Sequence, residues 1–415
     1  MKPWMSDKEI DLIVSQLSPE KTMLEWGSGG STNTFSKHVK KYYSIEHDTK
    51  WAKKMQKDLN DNVTFYHVPQ SPGYSSNIPL RNIHSNLITS YTDYIKQIHN
   101  IGEEYFDVIL IDGRCRKWCA LEALPYLKPD SKVFIHDFYA PGREYYQDVL
   151  KYYSVEQSIK EGQSLVMLRP LKKLMHVFYR ISDGGNNKDK PDYITKRNCF
   201  DNFCKYLDPR IIDMTVIADN VSEETTKYLE EKSIDGAGQP TYDIVHTNYK
   251  SGGRSFIHAL ELAQEQDDDI VCYFVEDDFL HTEFSSTYLL EGVLEMGADY
   301  ASLYDHPDKY LDPSLGGNPQ VEYGGEITRL MLGDRTHWKL TNSTVLTFAA
   351  KTKTVKRDFA IWKKCVLDSP HLGSYHAFTK LREEGRSLIT SVPGRATHGE
   401  TKWLTPFLDW SKYVG

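Results

Sequence analysis

The chain has no apolar stretch long enough to cross a bilayer, no CxxC pair, no internal repeat and no low-complexity tail. A membrane-crossing helix needs about 20 consecutive apolar residues, so none is expected. Six cysteines in 415 residues, at 115, 119, 199, 204, 272 and 365, are too sparse for a disulfide scaffold and lack the pairing of a zinc site. They read as reduced thiols. Residues Met1 to Glu9 lack an apolar signal region, so a cytoplasmic location is the expectation. An excess of positive charge is also missing. The net charge of −8 gives no overall attraction to nucleic acid or anionic membrane, and neither is an expected partner.

What is present suffices for two domains, each with its own core: 40% of the residues are hydrophobic and 26% charged. The 27 tyrosines read mainly as packing, although sugar sites also use aromatic rings. Ser6 and Glu9 form a capping box ahead of a helix carrying Ile10, Ile13, Val14 and Leu17. Strand and helix signals then alternate. Strands are expected at Thr22 to Trp26, Tyr42 to Glu46, Val63 to Val68, Phe106 to Ile111 and Lys132 to Ile135, with a closing pair near 154–160 and 164–168. Helices fall between them at Ser31 to Val39, Trp51 to Leu59, Tyr91 to Ile101, Lys117 to Leu127 and Arg143 to Tyr153, and Gln70 to Ser90 reads as a polar insertion. Such alternation argues for a doubly wound α/β sheet. A second alternation begins at Met175, with strands near Met214 to Ala218, Ile244 to Thr247 and Val271 to Val275. The boundary falls near 170–174, giving domains 1–171 and 172–415.

Ligands of open α/β sheets sit beyond the carboxyl ends of the strands, where strand order reverses. After the first strand comes Glu25-Trp-Gly27-Ser28-Gly29-Gly30-Ser31, and Glu46 ends the second strand, where a carboxylate can take ribose hydroxyls. The pattern alone fits a dinucleotide or S-adenosylmethionine. Glu25, placed to attract a cationic ligand, and the absence of tight GxGxxG spacing favour the latter. The segment resembles motif I of class I S-adenosylmethionine-dependent methyltransferases, over residues 5–170. That resemblance implies a Rossmann-like sheet and a cofactor site of Glu25, Gly27, Ser28, Gly29, Gly30, Ser31, Glu46 and Asp112. Asp112 and the pair His136-Asp137 end two neighbouring strands, as in metal-dependent sugar O-methyltransferases. This implies magnesium or manganese on Asp112 and Asp137, with His136 or Asp137 in a catalytic role. An NAD(P)-dependent sugar-modifying domain is the alternative.

In the second half, the run Val271 to Val275 ends in Glu276-Asp277-Asp278. Carboxylates at a strand end can hold a divalent cation, which can hold a diphosphate. With Met175 to Ser182, Val216 to Thr226 and the Asn/Gly loop His246 to Ala263, this half resembles the GT-A fold of family-2-type glycosyltransferases. The resemblance implies a nucleotide-sugar donor, a glycan acceptor and Mn2+ or Mg2+ on Glu276 and Asp278, with His398 completing the metal sphere. It also implies nucleotide-sugar contacts at Arg180, Asp219, Lys250, Arg254 and Asp277. Asp305 and Asp368 are candidate catalytic bases, which leaves inversion or retention open. Tyr304 to Tyr310 and His337 to Thr344 combine polar and aromatic residues suited to sugars. The whole reads as a bifunctional transferase in glycan biosynthesis; a glycan-binding module with one or both domains inactive is the alternative.

Overall fold

The computed structural model describes residues 2–71, 90–171, 173–184, 188–206, 211–234, 241–322, 325–369 and 372–414. Most of the insertion read at Gln70 to Ser90 therefore lies outside the described residues. The chain divides into two compact units, Met1–Lys172 and Lys173–Gly415.

In the first unit the strands are β1 (Thr22–Trp26), β2 (Lys41–Glu46), β3 (Val63–His67), β4 (Phe106–Ile111), β5 (Leu127–His136), β6 (Tyr153–Ile159) and β7 (Leu165–Pro170). They form one sheet in the order β3-β2-β1-β4-β5-β7-β6. The first five are parallel, and β7 runs antiparallel to both β5 and β6. This is a Rossmann-like sheet with a closing antiparallel pair. β4 is central, and its Val108, Ile109, Leu110 and Ile111 are fully buried, which explains the unbroken apolar run. One core joins Met23, Val108, Leu110 and Phe134 to Leu12, Ile13 and Phe35.

The Ser6/Glu9 capping box forms at the helix Asp7–Val14. The segment Glu144–Lys151, expected as α-helix, is a 3₁₀-helix. Its buried residues, Tyr146 and Val149, are three apart, a spacing that serves either helix.

The second unit contains β8 (Met175–Ile181), β9 (Ile212–Asp219), β10 (Asp243–Thr247), β11 (Val271–Glu276), β12 (Phe279–His281), β13 (Tyr300–Ser302), β14 (Leu330–Leu332), β15 (His337–Leu340), β16 (Phe348–Lys351), β17 (Leu388–Val392) and β18 (Ala396–His398). Nine of them form a sheet in the order β10-β9-β8-β11-β16-β13-β17-β15-β14, and β12 pairs with β18. The run from β10 to β11 is parallel, and β16 adds antiparallel to β11. The core on one face is aromatic: Phe178, Phe256, Phe274, Tyr300, Phe348, Trp362 and Phe378 are all buried. The Trp362 indole donates to Tyr300 OH (3.1 Å), which donates to Asp358 (2.9 Å), so the polar tips are satisfied inside the core.

Candidate functional sites

Within the parallel strands of each unit the order reverses between β1 and β4 in the first and between β8 and β11 in the second, and a cleft opens beyond those strand ends.

The first cleft has a volume of about 1040 Å³. Gly27, at φ +96°, turns the chain out of β1, and a Cβ there would lie 2.5 Å from Gly113 N. The two backbones therefore touch, and only glycine fits. Gly27, Ser28, Gly29, Gly30, Ser31, Glu46 and Asp112 all line this cleft. Glu46 is nearly fully buried. Its Oε2 accepts from Ser28 N (3.0 Å), and its Oε1 accepts from His47 N (2.8 Å) and Asp48 N (2.7 Å). A carboxylate accepts about four hydrogen bonds, so roughly one acceptor position remains for a ligand hydroxyl. Trp51 closes one wall, its indole donating to Ser28 O (2.7 Å).

Glu25 does not reach the cleft, contrary to the expectation. It is fully buried below the glycine turn and accepts hydrogen bonds from the hydroxyls of Ser31, Thr32 and Ser44. Burial pushes its carboxyl up to about 7, against those three donors. The strand position was legible, but Glu25 points into the domain, where it ties the turn to the helix Gly30–Phe35.

The proposed metal trio needs a second correction. One ligand atom each of Asp112, His136 and Asp137 lies within 4.8 Å of the others, as a metal centre requires. However, the buried Arg116 guanidinium already bridges both acids, at 3.2 Å from Asp112 Oδ1 and 3.0 Å from Asp137 Oδ2. Arg143 adds a further cation 2.6 Å from Asp137. A divalent ion would meet two guanidinium charges, so these residues do not fit one. His136 and Asp137 are also not on the cleft wall, whereas Asp112, Arg114, Arg116 and Arg143 are. His136 Nδ1 lies 2.9 Å from Asp112 Oδ1, and Nε2 faces buried Glu9 at 3.7 Å. Burial pulls the imidazole down, but the hydrogen bond and charge of Asp112 outweigh it and leave it raised. Its place is behind Asp112, as a support.

The second cleft, of about 740 Å³, brings together Arg180, Asp219, Lys250, Glu276, Asp277 and Asp278 from four strand ends. Asp219, at the end of β9, accepts from Thr247 Oγ1 (2.9 Å), Tyr249 N (2.6 Å) and Ser251 N (3.4 Å), bracing the loop that carries Lys250. Each acid of the triplet has its own cation. Arg180 lies 3.4 Å from Glu276, Lys196 lies 3.6 Å from Asp277 and Lys190 lies 2.8 Å from Asp278. His398 Nε2 stands 3.3 Å from the same Asp278 oxygen. Burial and the neighbouring Asp278 charge push Asp277 up. Asp278 is held low despite burial, by His398 and Lys190.

Three expectations fail here. Arg254 is exposed and not on the cleft wall; the helix starting at Gly252 turns Ser255, not Arg254, toward the cleft. Asp368 is exposed at the end of the helix Thr352–Asp368, away from the cleft. Asp305 is buried, 2.8 Å from Lys339 Nζ and accepting from Tyr310 OH, so it is already neutralised. The segments around 304–310 and 337–344 meet in this network, where Lys309 donates to Ser343 (2.8 Å) and Trp338 is fully buried, while the Tyr310 ring stays exposed. Lys188, Lys190 and Lys196 were missed. Their signal was a lysine cluster just beyond the first strand of the sheet, at the switch point.

No protein-family model matches this chain, and no curated protein matches it. Solved structures do. A methyltransferase-like protein from Silicibacter pomeroyi is 22% identical, over 41% of this chain and 89% of its own, with a TM-score of 0.33. A tRNA methyltransferase from Aquifex aeolicus is 15% identical, over 42% and 73%, with a TM-score of 0.29. A precorrin-6y methyltransferase from Geobacter metallireducens is 12% identical, over 42% and 92%, with a TM-score of 0.29. Likenesses this slight carry no argument about activity, and the description of the first unit as Rossmann-like rests on its own strand order.

Proposed function

We propose that the chain carries two transferase sites: one for S-adenosylmethionine-dependent O-methylation, of a sugar hydroxyl, and one for glycosyl transfer from a nucleotide sugar. The observation behind the first is the convergence of Gly27, Gly113 and Glu46 at the point where strand order reverses. Glu46 would take a ribose hydroxyl, and the backbone of Ser28 to Gly30 would follow the amino-acid end. Bound S-adenosylmethionine supplies an electrophilic methyl group. Asp112, facing the cleft and held by His136 and Arg116, offers an acceptor that orients the attacking hydroxyl.

The observation behind the second is that six residues singled out from four separate segments line one cleft. Lys250, Lys196 and Arg180 face the space where a diphosphate would build negative charge. Asp278 and His398 would hold a divalent cation once Lys190 withdraws from Asp278 Oδ2, since such ions are held by one or two protein groups plus substrate phosphates and water. A cation there would neutralise the departing diphosphate.

Calorimetric titration with S-adenosylmethionine, and separately with UDP-sugars and GDP-sugars plus Mn2+, tests both halves. Saturable binding of S-adenosylmethionine, lost in Gly27→Ala, supports the first. No binding of any nucleotide sugar removes the second.

A further inference from the structure

The Lys190 ammonium and the His398 imidazole both address one atom, Asp278 Oδ2, at 2.8 and 3.3 Å. A divalent cation shared by Asp278 and His398 would take the oxygen that His398 faces, which is that same atom. An ammonium and a divalent ion in contact with one carboxylate oxygen repel each other strongly in a buried site. One must leave, and the ammonium is the one on a flexible four-carbon stem. Lys190 also lines the cleft that the diphosphate would enter.

We propose that Lys190 is an exchangeable counter-ion. In the donor-free protein it neutralises Asp278. When a divalent cation takes Oδ2, the ammonium moves to the diphosphate, so that metal and nucleotide bind cooperatively. The exchange rests on the nucleotide-sugar reading of this cleft. At Lys190 it forms and breaks ionic contacts only. At His398, whose Nδ1 accepts from Glu400 N (3.4 Å), the Nε2 proton aimed at Asp278 passes to solvent when Nε2 takes the cation, and no electron moves. Because coupling between sites is reciprocal, Lys190 weakens cation binding when no nucleotide is present and strengthens nucleotide binding once the cation is in place.

The test uses the full chain as wild type, Lys190→Met, Lys190→Gln and Asp278→Asn, titrated with Mn2+ alone. A second titration uses UDP and GDP at saturating Mn2+. Both Lys190 variants are expected to bind Mn2+ alone about 10-fold more tightly than wild type, and to bind the preferred nucleotide with Mn2+ about 10-fold more weakly. Asp278→Asn should lose Mn2+ altogether. Unchanged or weaker Mn2+ binding in both Lys190 variants, with binding by wild type retained, overturns the role of Lys190 alone. No Mn2+ binding in wild type or either Lys190 variant overturns the cleft reading and this inference with it.

Discussion

His398 Nε2 lies 3.3 Å from Asp278 Oδ2 because β18 pairs antiparallel with β12 and sets His398 opposite Phe279, the residue after Asp278. A strand near the end of the chain thus completes a site begun by β11. His398→Ala should therefore weaken Mn2+ binding while leaving the Lys190–Asp278 ion pair in place. The expected loss is about 10- to 100-fold, read by calorimetry. An unaltered affinity would mean that His398 only packs there.

Gly27→Ala tests the backbone contact between β1 and β4. The new Cβ would meet Gly113 N at 2.5 Å and Gly113 Cα at 2.6 Å, both main-chain atoms that cannot swing aside. The positive φ alone costs about 1–3 kcal/mol for a residue with a Cβ. A lower thermal midpoint together with lost S-adenosylmethionine binding is the expected pair of results. Wild-type stability with wild-type binding would contradict the geometry.

Which of these features the sequence reveals depends on whether backbone or side-chain direction is at stake. β1 and β4 are readable to the residue, β4 because Val108 to Ile111, buried on both faces, leave an apolar run, and β1 because Thr22 to Trp26 lead straight into the glycine turn. The glycine turn and the acidic triplet are readable because strand ends at a switch point are few. Spacing does not tell which way a terminal side chain turns, and so Glu25 reads as a cleft residue when it is a buried brace. Partners from distant segments are also silent. Nothing near Asp305 in the sequence announces Lys339, and nothing beside Asp112 shows that Arg116 will reach across to Asp137. The acids at the ends of β2 and β9 were legible as cleft residues. That Glu46 and Asp219 chiefly hold backbone N–H groups was not.

Glu25 gives a pH prediction with a definite sign. Its carboxyl is raised from 4.5 to about 7 by burial, so the folded state binds a proton more tightly than the unfolded chain does. The stability this contributes is fully present below about pH 4.5 and is lost as pH rises toward 7. A shift of that size corresponds to roughly 3 kcal/mol at most. Glu25→Gln keeps one acceptor oxygen, places an amide donor where the other oxygen stood so that the hydroxyls there turn to accept, and removes the titration. Relative to wild type, the variant should gain stability between pH 5 and pH 8, read as the difference in urea midpoints at the two pH values. A constant difference would place the raised pKa elsewhere.

Arg116 carries the last prediction. Its guanidinium is nine-tenths buried, bonded to the carbonyls of Asp112 (3.1 Å), Gly113 (3.0 Å) and His136, and paired with two carboxylates. It therefore clamps the ends of β4 and β5 while neutralising the acids between them. Arg116→Met keeps much of the packing but leaves Asp112 and Asp137 facing each other without that charge. Breaking a buried pair in this way costs about 3–5 kcal/mol, so the variant should melt well below wild type. The same change frees the oxygens of Asp112 and Asp137 beside His136, and the three groups already converge as ligands. Added Mn2+ or Zn2+ should then restore part of the lost thermal stability in Arg116→Met and do nothing comparable for this unit in wild type. Rescue by the metal would show that Arg116 occupies the place of a cation; destabilisation without rescue would show that it acts chiefly as the clamp.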